Sequence, residues 1–277
     1  MARHHHDPRE VLTRPAPPPD FTVAYGDDPE HVIDVRLPAP STGGTPRPLV
    51  VFVHGGFWMA EYDRVHAAPL ATDLASRGYP VASVEYRRIG QPGGGYPGTL
   101  DDVATAVGAL PELVAVAQAE RGVDAFPADR PVLMGHSAGG HLALWTAARG
   151  GPEVTRGVLA LAPVADLARA YRLRLGNDAV RLLLGGGPGD VPDRYAAADP
   201  SALLPIGVPV AVVHGHLDEQ VPYPVGADFV AAARRAGDEA HLFELPEAEH
   251  FALIDPLSAA WSAVLDALEL LVRIGHP

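Results

Sequence analysis

The chain contains no cysteine. That excludes disulfides, thiol nucleophiles and cysteine-ligated metals. Cationic side chains are also scarce: 21 Lys+Arg stand against 34 Asp+Glu, and 21 − 34 = −13. A surface of that sign repels nucleic-acid backbones and anionic membranes, so neither is expected as a partner. No stretch approaches the roughly 18 apolar residues that a spanning helix needs, and the N-terminus lacks the apolar core of a secretory signal. The expectation is a cytoplasmic protein. What is present is ordinary for a globular chain. Of 277 residues 47% are hydrophobic and 20% charged, enough to build one domain with a sizeable core.

The most informative stretch is Pro131–Gly140 (PVLMGHSAGG). Val132, Leu133 and Met134 read as a short buried strand, and His141–Arg149 as a helix. Between them Gly135-His136-Ser137-Ala138-Gly139 fits G-x-S-x-G. A strand-to-helix elbow of this kind forces its central residue into a strained backbone and lifts the hydroxyl of Ser137 out of the sheet. Glycines two residues either side leave room for the tight packing.

The rest of the chain alternates strand and helix. Residues 1–20 read as a loose N-terminal arm, because Pro15–Pro19 (PAPPP) is stiff and cannot join a sheet interior. His4-His5-His6 is a compositional tract with no expected metal role. Phe21–Tyr25 and Val32–Leu37 read as antiparallel strands joined by a turn at Asp27-Asp28-Pro29. Leu49–Val53 is a continuous apolar strand, as in a sheet covered on both faces. A helix is expected over Asp63–Arg77 with Asp63 as N-cap, then a strand over Tyr79–Tyr86 and a helix over Leu100–Glu120. Strands follow at Gly157–Leu161, Val208–His214 and Ala240–Leu245, and helices at Pro224–Ala236 and Pro256–Ile274. This alternation implies a mainly parallel, doubly wound sheet flanked by helices, in a single domain over 21–277. Residues 164–205 break the rhythm and read as a small cap insertion. Arg169, Arg172, Arg174 and Arg181 within it are expected on a solvated face. The last helix carries an apolar stripe at Leu265, Leu268, Leu271 and Val272. Spacing leaves open whether it faces the core or a second copy in a homodimer.

The chemistry-bearing residues fall at strand ends. Gly55-Gly56-Phe57-Trp58 follows His54 at the end of an apolar strand. Glycines there let backbone amides point at a ligand, as an oxyanion hole requires. Asp218 lies on the loop after a late strand, within His214–Pro222 (HGHLDEQVP), and Asp166 is the alternative acid. His250 lies on the loop before the final helix. The order Ser137, Asp218, His250 suits a nucleophile, an orienting acid and a base. His136 is read as structural, His54 as a brace for the glycine loop, and Glu85 and Arg87 as ion-pair partners behind the site. Glu247 and Glu249 are read as surface residues that could tune the base. A two-carboxylate glycosidase would leave the serine and histidine without a role.

These residues resemble the α/β-hydrolases over about residues 21–273. GHSAGG and HGHLDEQVP are similar to the prolyl-oligopeptidase-like and hormone-sensitive-lipase-like esterases. His54–Trp58 (HGGFW) resembles the arylformamidase, or kynurenine formamidase, branch; Phe57 stands where the hormone-sensitive-lipase branch has a third glycine. The resemblance implies a serine hydrolase with Ser137, His250 and Asp218 as triad and the amides of Gly56, Phe57 and Ala138 as oxyanion hole. It implies no metal and no cofactor. Trp58 is a candidate wall of the substrate pocket. The expected substrate is a small carboxylic ester, with an N-formylkynurenine-like amide as the alternative. A non-catalytic small-molecule receptor on the same fold would be expected to lose a triad member.

Overall fold

A computed structural model describes residues 7–38, 46–122 and 126–275. The strands are β1 (Phe21–Ala24), β2 (Val32–Arg36), β3 (Val50–Val53), β4 (Val81–Val84), β5 (Val132–His136), β6 (Gly157–Leu161), β7 (Val210–Gly215) and β8 (Ala240–Leu245). The helices are α1 (Ala68–Ser76), α2 (Gly98–Arg121), α3 (Ala138–Gly150), α4 (Leu167–Arg172), α5 (Leu175–Leu184), α6 (Pro192–Ala198), α7 (Pro224–Ala236) and α8 (Trp261–Ile274). The strands form one sheet in the order β1-β2-β4-β3-β5-β6-β7-β8. Pairing is antiparallel at β1–β2 and β2–β4 and parallel from β4 to β8. The mainly parallel, doubly wound sheet read from the sequence is what the chain builds.

Alternate side chains of each central strand enter opposite halves of the core. Val51 and Val53 of β3, with Leu133 of β5, face α2, α3 and the cap. Val50 and Phe52, with Val132 and Met134, face α1 and α8. The apolar runs are continuous because both faces are covered. The stripe on the last helix belongs to this second half: Leu268 and Leu271 are fully buried there, with Leu265 and Val272 packed around them. Its buried residues face the sheet.

Three expectations are corrected. The helix expected over 63–77 is divided: Asp63 caps a 3-10 turn at Arg64–Ala67, accepting from Val65 N at 2.9 Å, and α1 begins at Ala68. Pro69 lies in the first turn of α1, where its missing N–H costs nothing, whereas inside a continuous helix it would forfeit a hydrogen bond. The last helix begins at Trp261 rather than Pro256. The N-terminal arm is docked rather than loose over its described part. Residues Pro8–Thr13 form a 3-10 helix whose Val11 is fully buried beside Leu253 and Ile254, and Arg14 pairs with Asp255. The His4–His6 tract lies outside the described residues. Among the described residues, no helix is long and apolar enough to cross a membrane.

Residues 164–205 hold α4, α5, α6 and a 3-10 turn at Pro200–Ala202. The start of α5 is left-handed at Gly176, Asn177 and Asp178. Gly176 lies so close to Phe57 that a Cβ there would be 2.5 Å from the ring, which ties the cap to the loop after β3.

Candidate active site

The parallel register sets the site. Val53 at the end of β3 pairs with Gly135 near the end of β5, so the glycine loop and the serine elbow emerge side by side. Ser137 has φ 57° and ψ −117°, the strained turn expected of the elbow, and its amide donates to Leu161 O at 2.8 Å. A Cβ on Gly139 would stand 2.0 Å from Val53 O, and one on Gly135 2.2 Å from Gly139 O. Only glycine lets these backbones meet. A Cβ on Gly55 would lie 3.1 Å from Ser137 Cβ, so the glycine loop packs directly on the elbow.

The glycine loop turns back through Gly56, Phe57 and Trp58, all at positive φ (108°, 50° and 58°), and closes with Met59 N donating to Gly56 O at 2.9 Å. Among the described residues the amides of Gly56, Phe57 and Ala138 have no backbone acceptor. Gly56 and Phe57 lie on the half-buried loop whose Gly55 packs on the elbow, and Ala138 directly follows Ser137, so these donors stay open to an acceptor from outside the chain. The aromatic residues divide. Phe57 is half-buried against the cap, whereas Trp58 is wholly buried and meets His141 edge-on at 5.2 Å. Trp58 is therefore core packing, and Phe57 is the more exposed of the two rings.

Asp218 and His250 come together. His250 Nδ1 donates to Asp218 Oδ2 at 2.7 Å. The other oxygen, Oδ1, accepts from Gln220 N and Val221 N, each at 2.8 Å. Burial pushes the Asp218 carboxyl up. Hydrogen bonds from His214, His250 and the Val221 amide outweigh that and hold it well below the ordinary carboxylate range. The acid is thus an anion whose orientation is fixed, and the bond it accepts leaves the lone pair of His250 on Nε2. A cleft of about 290 Å³ opens beside His250, lined also by Arg9, Leu217, Glu219 and Phe251.

The other candidates have structural partners. Asp166 caps α4, accepting from Arg169 N at 2.7 Å. His214 Nε2 donates to Val221 O at 2.8 Å and so braces the acid loop. His216 and His241 are surface partners of Glu244 and Glu239. Arg87 pairs with Asp102. Arg169 and Arg174 pair with Asp228 and Asp178 on the cap surface.

Two contributors are not legible from the motif. His136 Nε2 donates to the carbonyl of His250 at 3.1 Å, and the two rings lie 4.4 Å apart. Burial, and then the neighbouring His250, keep His136 well below its ordinary pKa and hence neutral. Glu249, read as a surface residue, caps the 3-10 helix that carries His250 (His250–Ile254), accepting from Ala252 N at 2.8 Å and Phe251 N at 3.2 Å. An acidic residue just before a short helical run was the available signal for that cap.

Comparison with known proteins adds an independent line. A family model described as BD-FAE matches residues 33–232. The isoprenylcysteine alpha-carbonyl methylesterase of Arabidopsis thaliana is 35% identical over 124 residues, 44% of this chain and 26% of that protein. Esterase LipC of Mycobacterium tuberculosis is 28% identical over 255 residues, 84% of this chain and 60% of that one. The chain thus spans less than two thirds of the length of either relative. A solved esterase of the Planctomycetes species Thermogutta terrifontis has a TM-score of 0.70 at 23% identity, covering 95% of this chain and 97% of that one. At that identity the likeness is one of fold.

Proposed function

The chain belongs to the BD-FAE family and has the α/β-hydrolase fold, and on that premise we propose that it hydrolyses small carboxylic esters through Ser137, His250 and Asp218. The observation that carries the reading is the 2.7 Å bond from His250 Nδ1 to Asp218, on a loop that His136 ties to the Ser137 elbow.

His250 Nε2 takes the proton as Ser137 Oγ attacks the ester carbonyl. The carbonyl oxygen becomes an oxyanion that accepts from the amides of Gly56, Phe57 and Ala138. Each such donor is worth about 10²–10³ in rate. Asp218 stabilises the imidazolium. His250 then gives its proton to the leaving alcohol, and the acyl group stays on Ser137. Water, deprotonated by the same histidine, attacks the acyl-enzyme and releases the acid. The printed names of the relatives support an ester over an amide: one is a methylesterase and another an esterase.

The test is a rate comparison on p-nitrophenyl acetate and N-formylkynurenine with Ser137→Ala as blank. We expect ester turnover that the variant loses while remaining folded by circular dichroism. Turnover persisting in Ser137→Ala would overturn the mechanism. A far larger specificity constant for the formamide would replace the esterase reading by an arylformamidase.

A further inference from the structure

We propose that Glu85 is a positioning residue for the oxyanion hole, acting through His54 on the peptide between Gly55 and Gly56. The proposal rests on the esterase reading above and adds a residue to it that touches neither substrate nor nucleophile.

The strand register brings the two together. Val53 of β3 pairs with Val84 of β4, so His54 and Glu85 are the next residues on adjacent parallel strands. Both are fully buried. His54 Nε2 lies 2.8 Å from Glu85 Oε1, and His54 Nδ1 lies 2.8 Å from the carbonyl oxygen of Gly55. A backbone carbonyl can only accept. Glu85 is an anion: burial pushes its carboxyl up, but His54, Arg88 and the Arg64 amide bring it down to about 2. Both ring nitrogens of His54 therefore face acceptors, and both bonds form only if both nitrogens carry a proton.

The consequence reaches the site through peptide geometry. In a trans peptide the C=O and the following N–H point in opposite directions. Holding the Gly55 carbonyl on His54 turns the Gly56 N–H away from it. That N–H has no backbone acceptor among the described residues, and the loop bearing it packs on Ser137. Glycine at 55 and 56 would otherwise let this peptide rotate freely. The chain of contacts Glu85, His54, Gly55 C=O and Gly56 N–H fixes one donor of the oxyanion hole.

The surroundings hold the ring in place. Tyr86 stacks on His54 at 4.4 Å, and its hydroxyl donates to the His54 carbonyl at 2.9 Å. His66 meets the ring edge-on at 5.7 Å and is neutral: burial, and then His54 itself, lower it to about 3. Glu85 accepts in addition from Tyr86 N at 3.1 Å and Arg64 N at 3.0 Å, and the guanidiniums of Arg88 and Arg64 lie at 3.3 Å and 3.4 Å. Glu85 is the acid facing His54, and it is also the carboxylate that Arg64 and Arg88 pair with.

Two measurements test this. In wild-type protein labelled with ¹⁵N, the His54 resonances, assigned through bonded correlations, should show both nitrogens protonated at neutral pH. A His54 with one protonated nitrogen overturns the proposal, and no variant has to fold for that result. In Glu85→Gln, kcat on p-nitrophenyl acetate should fall by about 10- to 100-fold, less than the full loss of a donor. KM should stay within about threefold, because the interaction is made in the transition state. A boronic acid mimic of the tetrahedral adduct should weaken by the same factor as kcat/KM. Unchanged kcat in a folded variant, or a fall in KM and kcat with no change in boronate affinity, overturns it. Acyl-enzyme mass on Ser137 in the wild type is read in parallel. Its absence would remove the esterase reading while leaving the His54 measurement standing.

Discussion

At the scale of single residues, close approach and charge decide the outcome. Gly139 is the sharpest case. An added methyl would sit 2.0 Å from Val53 O and 2.5 Å from His54 O, and both are backbone atoms that cannot swing aside. Gly139→Ala should lower stability by about 1–3 kcal/mol, measured by urea unfolding, and should cost more in kcat than in KM because the elbow shifts against the oxyanion loop. Asp199 gives a pH-dependent case. It is buried and caps the cap region, accepting from Ala168 N and Ser201 N, each at 3.1 Å. Burial raises its carboxyl to about 6 from an ordinary 3.8. The folded state therefore prefers the protonated form, and the wild type loses stability as pH rises from about 4 to about 6. Asp199→Asn keeps only one of the two acceptors and should be less stable than the wild type at pH 4, with that difference narrowing by about 1–3 kcal/mol by pH 8 as the wild type alone loses stability. Parallel thermal melts at pH 4 and pH 8 read this directly; an equal difference at both would remove the assignment. The meeting of Asp218 with His250 was legible because chain order and loop position carry it. The partnership of His54 with Glu85 was not. It depends on β3 and β4 being neighbours in register, and neither residue says so alone.

At the scale of elements, the strands were readable and the ends of helices less so. Continuous apolar runs such as Leu49–Val53 mark strands buried on both faces, and the structure buries them that way. Helix starts were displaced where local turns overrode the apolar pattern: Asp63 caps a 3-10 turn, and Asp255 accepts from Leu257 N at 2.8 Å and holds a turn ahead of Trp261. The short 3-10 helix His250–Ile254 went unread because five residues carry too little periodicity to register. It matters because it presents His250, the base of the proposed mechanism. Glu249→Ala removes the acceptor for Ala252 N and Phe251 N, and should cost about 1 kcal/mol as a lost cap. Steady-state kinetics on p-nitrophenyl acetate should show a lower kcat as the His250 ring loses its fixed approach.

At the scale of the whole molecule, the first described residues are fastened to the last loops. Val11 is buried among residues that follow β8, Arg14 pairs with Asp255, and Arg47 pairs with Glu269 on α8. The proline-rich segment read as loose because its partners lie 241 positions away in the case of Arg14 and Asp255. No local pattern can report a contact of that separation. Val11→Asp places a charge where no water reaches. It should lower the melting temperature by several degrees, about 2–4 °C for each kcal/mol in a chain of this size. It should also lower kcat, since the same packing supports the His250 helix.

That fastening has a consequence for the order of events during synthesis. The Val11 helix leaves the ribosome early, and its seat does not exist until Leu253, Ile254 and Asp255 have been made. At about 5–20 residues per second, the wait is on the order of tens of seconds. Throughout it an apolar face stays open to chaperones or proteases. The nascent chain can complete its sheet as far as β7 and still lack His250. The pairing of His250 with Asp218 should therefore form as a single late step rather than a gradual gain with chain length.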